Sequence, residues 1–478
     1  MPHRSFLTES LMRLPSAVLL PLFVASSSTA LAQPRPVWAA RVDAVARAAL
    51  ARSGTPGATI AIVQNGALVY TQGYGLANLE TRQPMTAGML LRVGSVSKMF
   101  TGLMLAQLAE QGQLDLNAPI SRYLPTLAGK RVGAVTAQQL MTHNAGWLDN
   151  AVAYGRMGEG ALGEVMREVG DTLFFTEPGR TFSYSNPSIS MAGYVAEVAG
   201  KKRFGALVDS LVLRAAGMPR STFRPLEAFT WPTAMGHIGA RDSMAIVRPI
   251  SENTAQWPAG FLFASAPELA RFAIALMQDG QIDGRQAFPA AAVRRTTTGL
   301  VPHPGGSDLD SARYAMGLVV GRAMMGGRYE RVWTHGGSIT GYNASLTMVP
   351  DRKLAVIVLV NGPGAPIDAI QRAAFTAIGA TRAPVPLPAT RALTAAELAL
   401  HRGSYAMART SLEITDVDGT AVLRQGATTM PLTIAADGSL VARPADGDPV
   451  RLFTRLENGV ITYVYLRSRA LARQASPR

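Results

Sequence analysis

The sequence predicts an α/β chain of the α+β kind, in which an antiparallel sheet is flanked by helices and a small antiparallel β module follows. Three observations carry this. Asn65-Gly66 separates two apolar runs, Thr59–Val63 and Ala67–Tyr70, and such a pair marks a two-residue hairpin because both turn positions need positive φ. Helical spacing of apolar residues over Trp38–Ser53, Met99–Ala109 and Ser188–Ala199 is interleaved with strand-like runs at Ala344–Val349 and Leu354–Val360, the mixture expected when helices cover a sheet. Beyond Pro384-Val385-Pro386-Leu387-Pro388 the texture changes to short β-rich runs punctuated by Asp418-Gly419, Asp437-Gly438, Asp446-Gly447 and Asn458-Gly459. Regular turn dipeptides of this kind predict an antiparallel barrel or sandwich.

The chain has 478 residues, 48% of them hydrophobic, enough for a large core and for more than one domain. Its formal charge of +14 comes mainly from arginines spread along the sequence without a block of like charges, so no nucleic-acid partner is expected. The lack of cysteine excludes disulfides, a cysteine nucleophile and any cysteine-bearing metal site. No metal or organic cofactor is implied. Arg4 and Arg13 precede the apolar run Ala17–Ala25, and small residues dominate Ser26–Ala32, which reads as a secretory signal peptide cleaved after Ala32. That run is shorter than the ~20 residues needed to span a bilayer, and Pro21 interrupts it. A periplasmic or secreted protein without a stable membrane anchor is expected. The organisation expected is a signal at 1–32, a main domain at 33–382, a Pro-rich linker at 383–391 and the β module at 392–478.

After the first helix and the hairpin, Arg92-Val93 leads into Gly94-Ser95-Val96-Ser97-Lys98. The helical pattern continues through Met99, Leu103, Leu105, Leu108 and Ala109 to a stop near Gly112. Ser95 and Lys98, three residues apart, share a helix face, and a hydroxyl beside an amine can be a nucleophile with its base. The plain alternative is a capping serine and a solvated lysine. Lysine is scarce, however, occurring only at 98, 130, 201, 202 and 353, so an ordinary surface cation here would have been arginine. The helix is apolar over most of its surface, which predicts burial and a disfavoured charge on Lys98.

Leu114–Pro125 reads as an extended loop and Thr136–His143 as a short helix, and His143 at its end is read as structural. Glu177–Pro187 is a loop leading into the Ser188–Ala199 helix. There Tyr184 could simply pack and Asn186 cap the helix beside Pro187, but a phenol near a Ser–Lys pair can also relay a proton. Pro258–Ser265 reads as a turn and short strand, with a helix following from Pro267 to about Gln278. In Arg331–Ser338, the paired glycines of His335-Gly336-Gly337-Ser338 mark a close backbone approach on a strand, while His335 alone could be an ordinary strand-edge histidine. Pro366–Ile378 and Thr394–His401 read as helices.

Together, Ser95-Val96-Ser97-Lys98, Tyr184-Ser185-Asn186 and His335-Gly336-Gly337, in that order and with Gln113–Ile120 and Pro258-Ala259-Gly260, resemble the serine β-lactamase-related family. That family holds class C β-lactamases, DD-carboxypeptidases, D-aminopeptidases and family VIII esterases. The resemblance spans Trp38–Ile378 and implies the β-lactamase/transpeptidase-like fold, with an all-helical subdomain beside the sheet; the tail resembles the β-barrel often appended to these hydrolases. It implies Ser95 as nucleophile, Lys98 as its base, Tyr184 as proton relay to the leaving group and Asn186 as a holder of Lys98 and of the substrate amide. It further implies an oxyanion hole from the backbone N–H groups of Ser95 and Ser338. Acyl transfer at neutral pH then needs a lowered pKa at Lys98 or Tyr184.

His335 and Gly336 stand where β-lactamases of the family carry lysine and a hydroxyl. That departure weakens carboxylate binding and points to an esterase or a D-amino-acid peptidase or amidase, with His335 keeping a hydrogen-bond donor and part of a charge near neutrality. A β-lactamase or penicillin-binding DD-carboxypeptidase is the second reading, and a non-catalytic envelope-binding protein on the same fold is the third. The partners expected are a small-molecule or short-peptide substrate and cell-wall material.

Overall fold

Helix α1 (Ala39–Ser53) closes on Gly54, whose φ is 71°, and delivers the chain to the hairpin β1 (Gly57–Gln64) and β2 (Ala67–Asn78). Asn65 and Gly66 turn it with φ of 55° and 77°, the left-handed pair that a two-residue hairpin needs. The computed structural model describes residues 35–304, 309–364, 366–382 and 387–475. The expected signal peptide and its cleavage site therefore lie outside the described residues, as does 383–386 of the expected linker.

The main sheet is completed by β3 (Gln83–Pro84), β4 (Val301–Pro302), β5 (Asp310–Tyr314), β6 (Val319–Met325), β7 (Arg328–Ile339), β8 (Tyr342–Val349) and β9 (Leu354–Val360). These nine strands lie in the order β4-β5-β6-β7-β8-β9-β1-β2-β3, antiparallel throughout. Strand side chains alternate between faces, and here both faces are covered. Ala61, Val63, Ala355, Ile357 and Leu359 join the core built around α2 (Ser97–Glu110), α3 (Asn186–Ala199) and α4 (Ala266–Met277). Ile60, Ile62, Val356, Val358 and Val360 pack instead with α1 and α5 (Ile367–Ala377). Two covered faces explain why β1 and β9 are unbroken apolar runs rather than alternating ones. Every residue of α2 from Ser97 to Leu108 is buried, as an all-round apolar helix must be.

The C-terminal module is a closed barrel rather than a sandwich. Its eight strands are β10 (Gly403–Met407), β11 (Thr410–Val417), β12 (Thr420–Gln425), β13 (Thr428–Ala435), β14 (Leu440–Ala442), β15 (Val450–Glu457), β16 (Val460–Leu466) and β17 (Arg469–Arg473). Each pairs with the next, and β17 returns to β10 through Tyr405–Arg473 and Ala406–Ala472, which leaves no open edge. The Asp418-Gly419 and Asn458-Gly459 turns take positive φ at both positions. Tyr405, Ile414, Leu423, Leu452, Val464 and Leu471 fill the interior. Residues Pro36–Arg478 form one compact unit.

One buried ion pair supports the start of α2. Arg92 is fully buried, with its guanidinium 2.7 Å from Glu252 Oε2 and over the rings of Phe261 and Phe263, 5.0 and 4.6 Å from their centroids. Glu252 also accepts from Trp257 Nε1 at 2.7 Å. Removing one partner strands a charge, so Glu252→Ala is expected to destabilise the fold by about 3–5 kcal/mol, measured as a lower urea midpoint at unchanged slope.

Candidate functional site

Ser95 sits in a single 3-10 turn, Gly94–Val96, that runs directly into α2. Strand β7 passes over this turn at backbone contact distance. Gly94 has a φ of 52°, and a Cβ there would come 2.6 Å from Ser338 N; a Cβ on Gly337 would come 1.9 Å from Val93 O. The approach expected from the paired glycines is thus made by Gly337. Gly336 faces open space, its nearest Cβ neighbour being Ala344 O at 3.9 Å. Ser338 follows on the exposed edge of the same cleft.

Lys98 is fully buried, one helical turn beyond Ser95. Its Nζ lies 3.0 Å from Ser95 Oγ, 2.7 Å from Asn186 Oδ1 and 2.5 Å from Ala259 O. Burial drives its pKa down to about 7, with Asp149 pulling upward and Arg469 downward. On the other side Tyr184 OH donates to Ser95 Oγ at 2.8 Å. Burial pushes the Tyr184 phenol up, against the Ser95 hydrogen bond, so of the two groups that could have had a lowered pKa it is Lys98 that does. Asn186 is the first residue of α3, and the cap expected of it belongs to Ser185, whose Oγ accepts from Ser188 N. That releases the Asn186 amide: Nδ2 donates to Asp149 Oδ1 at 3.1 Å, which turns Oδ1 toward Lys98.

The part charge expected on His335 is not retained. Burial holds its pKa down at about 3, with Lys98 adding to the effect. Nδ1 lies 2.5 Å from Gly336 O and Nε2 lies 2.9 Å from Tyr314 OH. A carbonyl only accepts, so the ring proton is on Nδ1 and is bound to the main chain, and Nε2 accepts from Tyr314. His143 lies under the site, its Nδ1 accepting from Ser185 N at 3.1 Å and its ring 4.2 Å from that of Tyr184. It supports the loop from below.

Two residues at the site were not singled out from the sequence. Asp149 accepts from Asn186 N at 3.0 Å, and Arg469 of β17 donates to it through Nε at 3.0 Å and through Nη2. The pair is separated by 320 positions, with no motif around either. Ser95, Asn186, Ala259, Gly260, Phe261, Val152, Ser338, Ile339 and a few neighbours line a cleft of about 220 Å³, and among the described residues lining it none is charged.

A family model described as Beta-lactamase matches residues 42–381. The D-aminopeptidase of Gluconobacter oxydans (strain 621H) is 29% identical over 334 residues, 68% of this chain and 59% of that protein. Esterase EstB of Burkholderia gladioli is 32% identical over 197 residues, 38% of this chain and 50% of that protein. The chain thus spans only about half to three-fifths of the length of these curated relatives. The crystal structure of SurE superposes with a TM-score of 0.73 at 24% identity, covering 91% of this chain and all of SurE, and so shares the fold including the barrel region.

Gly337→Ala forces apart the strand and the turn it touches. We expect it to lower activity toward any substrate processed at Ser95 by at least tenfold, with a reduced melting temperature, whereas Gly336→Ala leaves the melting temperature within about 1 °C because its Cβ meets only ordinary contacts. Differential scanning calorimetry of the two variants checks this.

Proposed function

The chain belongs to the beta-lactamase family, and from that premise we propose that it is an exported serine hydrolase. It cleaves an ester or amide that presents no carboxylate to the cleft, through an acyl-Ser95 intermediate, in the manner of an esterase or a D-amino-acid peptidase or amidase. The observation that carries the proposal is the placing of Ser95 Oγ between Lys98 Nζ at 3.0 Å and Tyr184 OH at 2.8 Å. A neutral amine has two N–H donors and one lone pair. Asn186 Oδ1 and Ala259 O can only accept, and both lie against Nζ; together they engage both donors and leave the lone pair directed at the Ser95 hydroxyl. With a pKa brought near 7 by burial, Lys98 is neutral in a large fraction of molecules at physiological pH.

The steps follow from these positions. Ser95 Oγ attacks the carbonyl carbon as its proton passes to Lys98. The oxyanion lies toward the Ser95 and Ser338 backbone N–H groups, where preorganised donors are worth a few kcal/mol. Collapse of the intermediate breaks the bond to the leaving alcohol or amine, which takes the proton of Tyr184 O–H, and Lys98 returns its proton to the phenolate. Water then adds to the acyl-Ser95 ester by the same proton route and releases the acid. The uncharged cleft lining and the neutral His335 favour carboxylate-free substrates over β-lactams and carboxy-terminal D-Ala peptides. The names of two relatives, an esterase and a D-aminopeptidase, agree with that direction. Export is supported by the apolar run Ala17–Ala25 and the small residues of Ser26–Ala32.

A fluorophosphonate is expected to add one adduct to the intact mass, lost in Ser95→Ala. Hydrolysis of p-nitrophenyl esters and D-amino-acid p-nitroanilides is expected to exceed that of nitrocefin, and nitrocefin turnover equal to the esters would reverse the substrate preference. Because the neutral amine is the active form, kcat/KM rises with pH through about 7, and Lys98→Met lowers it by about 10²–10⁴-fold.

A further inference from the structure

We propose that Arg469, carried by the barrel, is a positioning residue of the acyl-transfer site, acting through Asp149 on Asn186 and so on Lys98. The inference rests on the reading of Ser95 and Lys98 as nucleophile and base. The side chain of Asp149 is only 6% exposed. It receives Asn186 N at 3.0 Å and Asn186 Nδ2 at 3.1 Å from one side, and the Arg469 guanidinium through Nε at 3.0 Å and through Nη2 from the other. A nearly buried carboxylate needs such a counter-charge to remain in place. Asp149 in turn decides which way the Asn186 amide points. With Nδ2 on the carboxylate, Oδ1 faces Lys98 Nζ at 2.7 Å and engages one of its two donors. With the amide reversed, an NH2 group would face the amine and the lone pair would lose its aim at Ser95.

The same β16–β17 turn holds the other side of the site. Ser468 O accepts from Tyr184 N at 2.9 Å, Ala470 N donates to Ser183 Oγ at 3.2 Å, and the Arg469 guanidinium lies 5.4 Å from the Tyr184 ring centroid. Three consecutive barrel residues thus bracket the segment that carries both Tyr184 and Asn186. Tyr463 and Tyr465 of β16 anchor the loop leading into it, through Thr176 at 2.6 Å and Thr181 at 2.5 Å. The site assembled on the sheet and helices is completed by the barrel.

The titratable and charged groups around Lys98 are Asp149, Arg469, Tyr184, His143 and His335. Burial keeps the two imidazoles neutral and the phenol protonated. Asp149 and Arg469 are then the charges to which Lys98 responds, with opposite signs, and this separates a positioning role from mere packing.

The test uses the full chain: wild type, Arg469→Ala, Arg469→Gln, Arg469→Lys and Asp149→Asn, with p-nitrophenyl acetate kinetics from pH 5 to 9. We expect Arg469→Ala to lower kcat about tenfold to a hundredfold with little change in KM. Its acidic limb should move to higher pH, because an unpaired Asp149 favours the Lys98 ammonium. Asp149→Asn should lower kcat while moving the limb to lower pH, and Arg469→Lys should restore the wild-type limb and most of the rate. Should Arg469→Ala not fold, Arg469→Gln carries the same expectation. Wild-type kcat and limb in both Arg469→Gln and Asp149→Asn, or a shift in the same direction in both, overturns the inference. If the wild type itself forms no Ser95 adduct with a fluorophosphonate, the reading beneath it falls as well; if it does form one, only the role of Arg469 is lost.

Discussion

The candidate site depends on taking one amine out of water. A lysine ammonium is stabilised by its hydration, and full burial of Lys98 removes that stabilisation. The cost falls on the helix that carries it, and α2 can bear it because its other residues from Ser97 to Leu108 are also buried and nearly all apolar or small. The double layer of core on the two faces of the sheet therefore does more than hold the fold together. It creates the low-dielectric setting that brings the pKa of Lys98 down to about 7.

Within that setting the polar groups are limited in number and each is directed by another. Ala259 O and Asn186 Oδ1 orient Lys98, Asp149 orients Asn186, and Arg469 holds Asp149. A chain of this kind tolerates little slack, since a buried donor or acceptor left without its partner costs about 1–3 kcal/mol. The histidine in the third motif obeys the same rule in the opposite sense. With its proton bound to Gly336 O and its other nitrogen against Tyr314, His335 ties strand β7 to β5 and is held neutral by burial.

What was legible in the sequence was what is local. The Ser95–Lys98 spacing shows on a helix face whatever surrounds it, and the Asn65-Gly66 turn has no comfortable alternative to the hairpin it makes. The apolar texture of α2 already implied a buried, weakened lysine. Tyr184 and Asn186 could be placed beside that pair only as a set of ordered motifs, and the competition between Ser185 and Asn186 for the helix cap was decided by the Asp149 carboxylate, which no neighbouring residue announces. Nor could the neutral state of His335 be read from its neighbours, because it depends on burial beneath Tyr314 and beside Lys98. Closure of the barrel turns on the pairing of Tyr405 with Arg473, a contact between the first and last strands that no turn dipeptide encodes.

The hydrogen bonds joining the Tyr184 loop to strand β16 span 287 and 284 positions. In a polypeptide made from its amino end, Ser95 and Lys98 are laid down long before Tyr463 and Tyr465, which hold the loop leading to Tyr184. The nascent protein therefore passes through a stage in which Ser95 exists without the barrel residues that brace the Tyr184 loop. The Ser95–Lys98 pair is thus the early part of the site, and the barrel contacts that brace the Tyr184 loop are its late part.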